Sequence, residues 1–103
     1  MLPPPDVIIT DWHYGSNEKY PSLNIFRGHG LQTIVATWHT PLNIRHFARA
    51  AAASKAHGLL QTTWAGYFPN ENVLKNETRQ FSAFVLAGDY AWSNREELPS
   101  ALP

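Results

Sequence analysis

Apolar positions along this chain follow two different periods. Short β-rich runs at Val7-Ile8-Ile9, Ile34-Val35-Ala36 and Leu59-Leu60 are separated by stretches in which apolar residues recur three and four positions apart. Val7 to Trp12 predicts a first strand, and its unbroken apolar triplet is the pattern of a strand covered on both faces. The polar stretch His13 to Lys19, with Gly15, Ser16 and Asn17, predicts a loop. A short helix is expected from about Pro21 to Arg27. Proline suits a first helical position, Leu23 and Phe26 share a face, and Gly28 supplies the stop, so that Gly28-His29-Gly30 reads as a C-cap turn.

Gln32 to Trp38 predicts a second strand, broken by Thr40-Pro41. Asn43 is then placed to N-cap the clearest helix in the chain, along which Ile44, Phe47, Ala48, Ala51 and Ala52 form one apolar stripe. Lys55 and His57 are expected in its last turn, and Gly58 at its end. The third strand runs from Leu59 to about Trp64, followed by a loop from Ala65 to Asn72. A last helix starts near Val73 or Glu77 and reaches Trp92, with Leu74, Phe81, Phe84, Val85, Gly88 and Trp92 close to one face. Residues 94–103 read as a tail, and residues 1–93 as one unit without an internal boundary.

The order is therefore β-α-β-α-β-α with short connections, an α/β fold built on a parallel sheet. Each strand ends on tryptophan, and Trp12, Trp38 and Trp64 are spaced 26 residues apart. Three parallel strands leave two open edges and expect cover that this chain does not visibly supply. A complete β/α barrel takes about 250 residues in eight units, and units of 26 residues fit that scale. The expectation is a C-terminal segment of a (β/α)8 barrel, about three consecutive βα units, completed by the remainder of the barrel or by self-association.

Composition narrows the partners. Eight basic residues balance eight acidic ones, so no net positive field draws nucleic acid or an anionic membrane. Without cysteine there are no disulfides and no thiolate metal sites, and the compartment is left open. No apolar run approaches the roughly 20 residues of a membrane span. Met1-Leu2-Pro3-Pro4-Pro5 lacks the charged and apolar regions of a signal peptide. Four tryptophans, four tyrosines and five phenylalanines are many for 103 residues.

In parallel β/α folds the ligand lies beyond the carboxyl ends of the strands. That rule gathers Asp11, Trp12, His13 and Tyr14 at one rim position, Trp38, His39 and Thr40 at the next, and Thr63, Trp64 and Tyr67 at the third. Indoles beside hydroxyl, imidazole and carboxylate groups suit a sugar, whose apolar ring face stacks while its hydroxyls take hydrogen bonds. The competing reading is that the tryptophans cap the barrel core and touch no ligand. Asp11 could bind a substrate hydroxyl or orient His13; it could equally fix a loop or cap a helix. Glycoside hydrolysis needs two carboxyl groups flanking the bond, or one together with a substrate acetamide. No such pair is visible, since Glu18, Glu71, Glu77, Glu96 and Glu97 fall in loops, helices or the tail. Metal-ligand spacings, a phosphate-binding glycine loop and a Gly-x-Ser-x-Gly elbow are all missing, so neither a metal nor another cofactor is expected. His29, His46 and His57 read as surface or capping residues.

The run Asp11-Trp12-His13-Tyr14, then Ala36-Thr37-Trp38, then the alanine-rich helix into Gly58-Leu59-Leu60-Gln61-Thr62-Thr63-Trp64, resembles the last part of the catalytic barrel of family 20 glycoside hydrolases, the β-N-acetylhexosaminidases. Asp89-Tyr90-Ala91-Trp92-Ser93 is similar to that family's final barrel helix. The resemblance spans about residues 7–93 and implies strands six to eight. It implies a pocket for an N-acetylglucosamine-type sugar, with Trp64 packing on the ring. It places the family's catalytic Asp-Glu pair outside this chain, which alone is then expected to be inactive. Two departures stand out. Ala65-Gly66 follows Trp64 where many members have Gly-Glu, and Trp38-His39 occupies a region where many carry a tyrosine for the acetamide, with Tyr14 a possible substitute.

Overall fold

The computed structural model describes residues 2–64 and 71–92. Three strands, β1 (Ile8–Trp12), β2 (Gln32–Thr37) and β3 (Gly58–Gln61), form a parallel sheet in the order β1-β2-β3. Helices α1 (Pro21–Gly28) and α2 (Pro41–Ala53) connect them, and α3 (Glu71–Asn76) and α4 (Thr78–Trp92) follow. The chain is thus an α/β fold of three consecutive βα units, as the alternation of periods predicts. The last helical stretch is split in two at Glu77. The tail at 94–103 lies outside the described residues.

Each element follows from local sequence. Pro21 and Pro41 open α1 and α2, where a missing N–H costs nothing. Gly28 closes α1, and Gly30 adopts φ +74, which returns Leu31 N–H to the Phe26 carbonyl. Two details of α2 differ from expectation. Its N-cap is Thr40, so Asn43 lies inside the first turn. It stops at Ala53, Ser54 donates back to the Ala50 carbonyl, and Lys55 takes the left-handed conformation at φ +58. Lys55 and His57 therefore follow the helix, and Gly58 opens β3 instead of closing α2.

Among the described residues, the helices pack on a single sheet face. Val35 and Leu59 point into two adjoining clusters, one with Tyr20, Leu23, Phe47 and Ala51, the other with Ile44, Ala83, Leu86 and Ala87. Phe47 is fully buried and stacks on Tyr20 at 4.1 Å. Burial of such a side chain contributes roughly 1.5–3 kcal/mol. The opposite face carries Ile8, Trp12 and Leu60, all about half exposed. The Val7-Ile8-Ile9 triplet predicts cover on both faces, yet its outward member, Ile8, meets no helix among the described residues.

The face of α4 also differs from expectation. Its buried residues are Gln80, Ala83, Leu86, Ala87 and Tyr90, whereas Phe84, Val85 and Trp92 are exposed. Both faces of this helix carry apolar residues, so the period alone does not choose between them. Alanines permit the close approach to α2 that the larger side chains would block.

Candidate functional site: an aromatic cluster at the carboxyl ends of the strands

Strand alternation decides where each candidate side chain goes. Trp12 pairs with Ala36 and is on the open face. Trp38 and Trp64 continue that parity past the ends of β2 and β3. All three converge around Tyr14. Trp12 and Trp64 stack with centroids 6.2 Å apart and planes 24° apart, and Tyr14 stacks on Trp38 at 5.2 Å. Trp12 meets Tyr14 edge-on at 5.3 Å. Each such pair adds about 0.5–1.5 kcal/mol beyond the area it buries. Trp12 and Trp64 nevertheless stay 59% and 61% exposed, enough to present ring surface to a ligand.

The polar atoms of the cluster form a directed chain. Trp64 Nε1–H, a donor only, donates a hydrogen bond to Tyr14 Oη at 2.6 Å. Tyr14 Oη and Thr62 Oγ1 are 2.7 Å apart, and Thr62 Oγ1 donates to the Thr37 carbonyl at 2.8 Å. Because the threonine proton goes to that carbonyl, Tyr14 donates to Thr62. The chain ties β1, β2 and β3 together at their carboxyl ends.

Asp11 and His13 go the other way. Asp11 shares the covered face with Val35 and is buried, with Ser22 Oγ donating to its Oδ2 at 2.6 Å. His13 Nε2 lies 3.0 Å from Asp11 Oδ1 and 3.1 Å from Ser22 Oγ, and its ring packs on Tyr20 and Phe47. This trio pins the first turn of α1 to the end of β1. Although it contains a serine, a histidine and an aspartate, it is not arranged for nucleophilic catalysis. There the imidazole takes the serine proton on one nitrogen while the carboxylate holds the other. Here both partners meet Nε2, and the serine proton is given to Asp11. The structure therefore does not bring Asp11 or His13 to the aromatic cluster.

His39 follows Trp38 and packs against it at 4.0 Å, with a buried Nδ1 that lacks a partner among the described residues. Tyr67, Ala65 and Gly66 lie outside the described residues. His46 Nδ1 donates to the Asn17 carbonyl at 2.9 Å, and His29 and His57 are exposed. Among the described residues no three His, Asp or Glu side chains converge as metal ligands would.

Two amides organise the site: Asn43, which the sequence suggests only as a helix cap, and Gln80, which it does not single out. Asn43, fully buried, accepts from Trp38 N–H at 3.0 Å and donates to the His13 and Gly15 carbonyls at 2.8 and 2.9 Å. Gln80, also buried, reaches from α4 to the ends of β2 and β3. Both lie on their helix's buried stripe, Asn43 four residues before Phe47 and Gln80 three before Ala83. An amide on an apolar stripe is the signal that marks them. Tyr20 belongs to the same network, donating to the Gly15 carbonyl at 2.7 Å, and burial pushes its hydroxyl pKa up from 10.0.

No family model, curated protein or solved structure matches the chain.

Proposed function

We propose that this chain supplies the carbohydrate-binding end of a larger β/α barrel, of the kind found in family 20 β-N-acetylhexosaminidases. One observation carries the reading: Trp12, Tyr14, Trp38 and Trp64 converge at the carboxyl ends of three parallel strands, on the sheet face the helices leave open. In a closed barrel that face is the interior and that end holds the ligand. The ligand is an N-acetylglucosamine-type glycoside, with Trp64 and Trp12 under the ring and Tyr14, Trp38 and His39 around it. The catalytic Asp-Glu pair belongs to chain outside these residues, because the only buried carboxylate among the described strand residues, Asp11, faces α1. Asp11 and His13 serve this site by fixing the β1–α1 connection.

The test pairs two assays on the purified chain. N-acetylglucosamine is expected to quench tryptophan fluorescence saturably, and Trp64→Ala to remove most of that response. A chromogenic N-acetylglucosaminide should release nothing; turnover would sink the claim that the acid lies elsewhere.

A second reading is favoured by the exposed Ile8 and Leu60, which extend the apolar surface away from the tryptophans along the open face. In it the chain is a self-associating α/β domain whose Trp-rich rim is an interface. Sugar-dependent quenching by a monomer would decide against it. No helix among the described residues is long and apolar enough to cross a membrane.

A further inference from the structure

Gln80 sits in α4 at 4% exposure, and one oxygen of its side chain meets three donors. Trp64 N–H approaches Gln80 Oε1 at 2.5 Å, Thr63 Oγ1 at 3.2 Å and Trp38 Nε1–H at 3.4 Å. Its nitrogen donates to Glu77 Oε2 at 2.8 Å. These contacts fix the amide's orientation. A flipped amide would aim N–H groups at three donors and an oxygen at a carboxylate.

We propose that Gln80 is a positioning residue that holds Trp38 and Trp64 in register, and that it does so for a ligand which meets the faces of these rings and not their N–H groups. The proposal rests on the carbohydrate reading of the cluster. Trp64 is held at two points, its backbone by Gln80 and its indole by Tyr14. Trp38 is likewise held at its backbone by Asn43 and at its indole by Gln80. Both indole protons are thereby turned to protein acceptors. A ligand at this surface stacks on the exposed face of Trp64 with Trp38 held beside it, while its hydroxyls find hydrogen bonds elsewhere. That suits a ring that stacks by an apolar face, as a pyranose with equatorial substituents does, over a ligand that needs an indole donor. Gln80 also links this geometry to α4, so the spacing of the tryptophans depends on a helix that contributes no ring to the cluster.

Gln80→Met keeps the side chain's length and removes its acceptor. The double variant Glu77→Gln, Gln80→Glu exchanges donor and acceptor between the two positions and restores an oxygen facing the strands. Indole and amide proton–nitrogen correlation spectra are recorded for both, with N-acetylglucosamine titrations. The Trp64 amide and Trp38 indole signals are expected to move in Gln80→Met while Trp92 stays. Affinity should fall about tenfold, the scale expected for unpaired buried donors. The exchanged pair should recover both. Unmoved Trp38 and Trp64 signals in Gln80→Met, or an exchanged pair that folds without restoring them, overturns the proposal. If the unaltered chain shows no sugar response, the carbohydrate reading fails, and the role of Gln80 is still decided by those two signals.

Discussion

Replacing Asn43 with leucine removes a fully buried polar side chain that makes four hydrogen bonds beneath the site. Four partners lose a bond: Trp38 N–H, the His13 and Gly15 carbonyls, and Tyr20 Oη, which accepts at 3.3 Å and still donates to Gly15. Gly15 keeps one bond, from Tyr20 Oη at 2.7 Å, so two groups are left without their protein partner. A buried polar group stripped of its partner costs about 1–3 kcal/mol. Both groups lie in half-exposed residues near the loop surface, where water regains part of that, so the lower end applies. The expected loss is about 2–3 kcal/mol, a large share of the roughly 5–15 kcal/mol that holds a domain together. Urea unfolding followed by tryptophan fluorescence should show the midpoint falling by about 1–2 M, at the slope of small domains. Asn43→Asp is the informative companion. It keeps an acceptor for Trp38 N–H but turns a buried carboxylate toward two carbonyls, so it should be less destabilised at pH 4, where protonation returns a donor, than at pH 7. A loss below about 0.5 kcal/mol for Asn43→Leu would refute the argument, because surface substitutions reach no more than that.

Alkaline pH should weaken the fold through Tyr20. Its hydroxyl pKa is raised by burial above 10.0, so the stabilisation is complete below the unfolded value and is lost as pH rises through the folded one; Tyr20→Phe should flatten the stability profile above pH 10, and an unchanged slope would assign the effect to another group. On α4, Leu86→Ala should cost about 2–4 kcal/mol and Trp92→Ala under about 0.5, since one is buried and the other 92% exposed; equal costs by thermal melting would mean that the helix packs through its other face. Leu60→Lys should suppress concentration-dependent association of the chain in light scattering without lowering its melting temperature, because its side chain is on the open face.

The sequence periods place the three strands and α1, α2 and α4 to within a few residues, because the runs Ile8–Trp12, Gln32–Thr37 and Gly58–Gln61 are bounded by strong turn residues, whereas α3 is a separate helix that the period does not set apart. The recurrence of tryptophan was equally legible, since strand parity carries identical positions to the same face. Direction was harder to read. Asp11 and Trp12 are neighbours at the end of β1, but a strand sends neighbours to opposite faces, so a shared strand end does not place both in one site. On α4 the apolar residues encircle the helix, and only its fit against the alanines of α2 selects the buried stripe. Beyond their local bonds to Trp38 and Glu77, Asn43 reaches carbonyls 28 and 30 residues away and Gln80 reaches groups 16 to 42 residues away, separations that local patterns do not encode.

The central claim is that the tryptophan pair on the open sheet face receives a sugar ring. The four tryptophans give four indole signals, which makes proton–nitrogen spectroscopy of the chain titrated with N-acetylglucosamine the most direct measurement. Trp12 and Trp64 should shift saturably, Trp38 less, and the distant Trp92 not at all. Four stationary indoles at saturating sugar, or a shift confined to Trp92, would contradict the account.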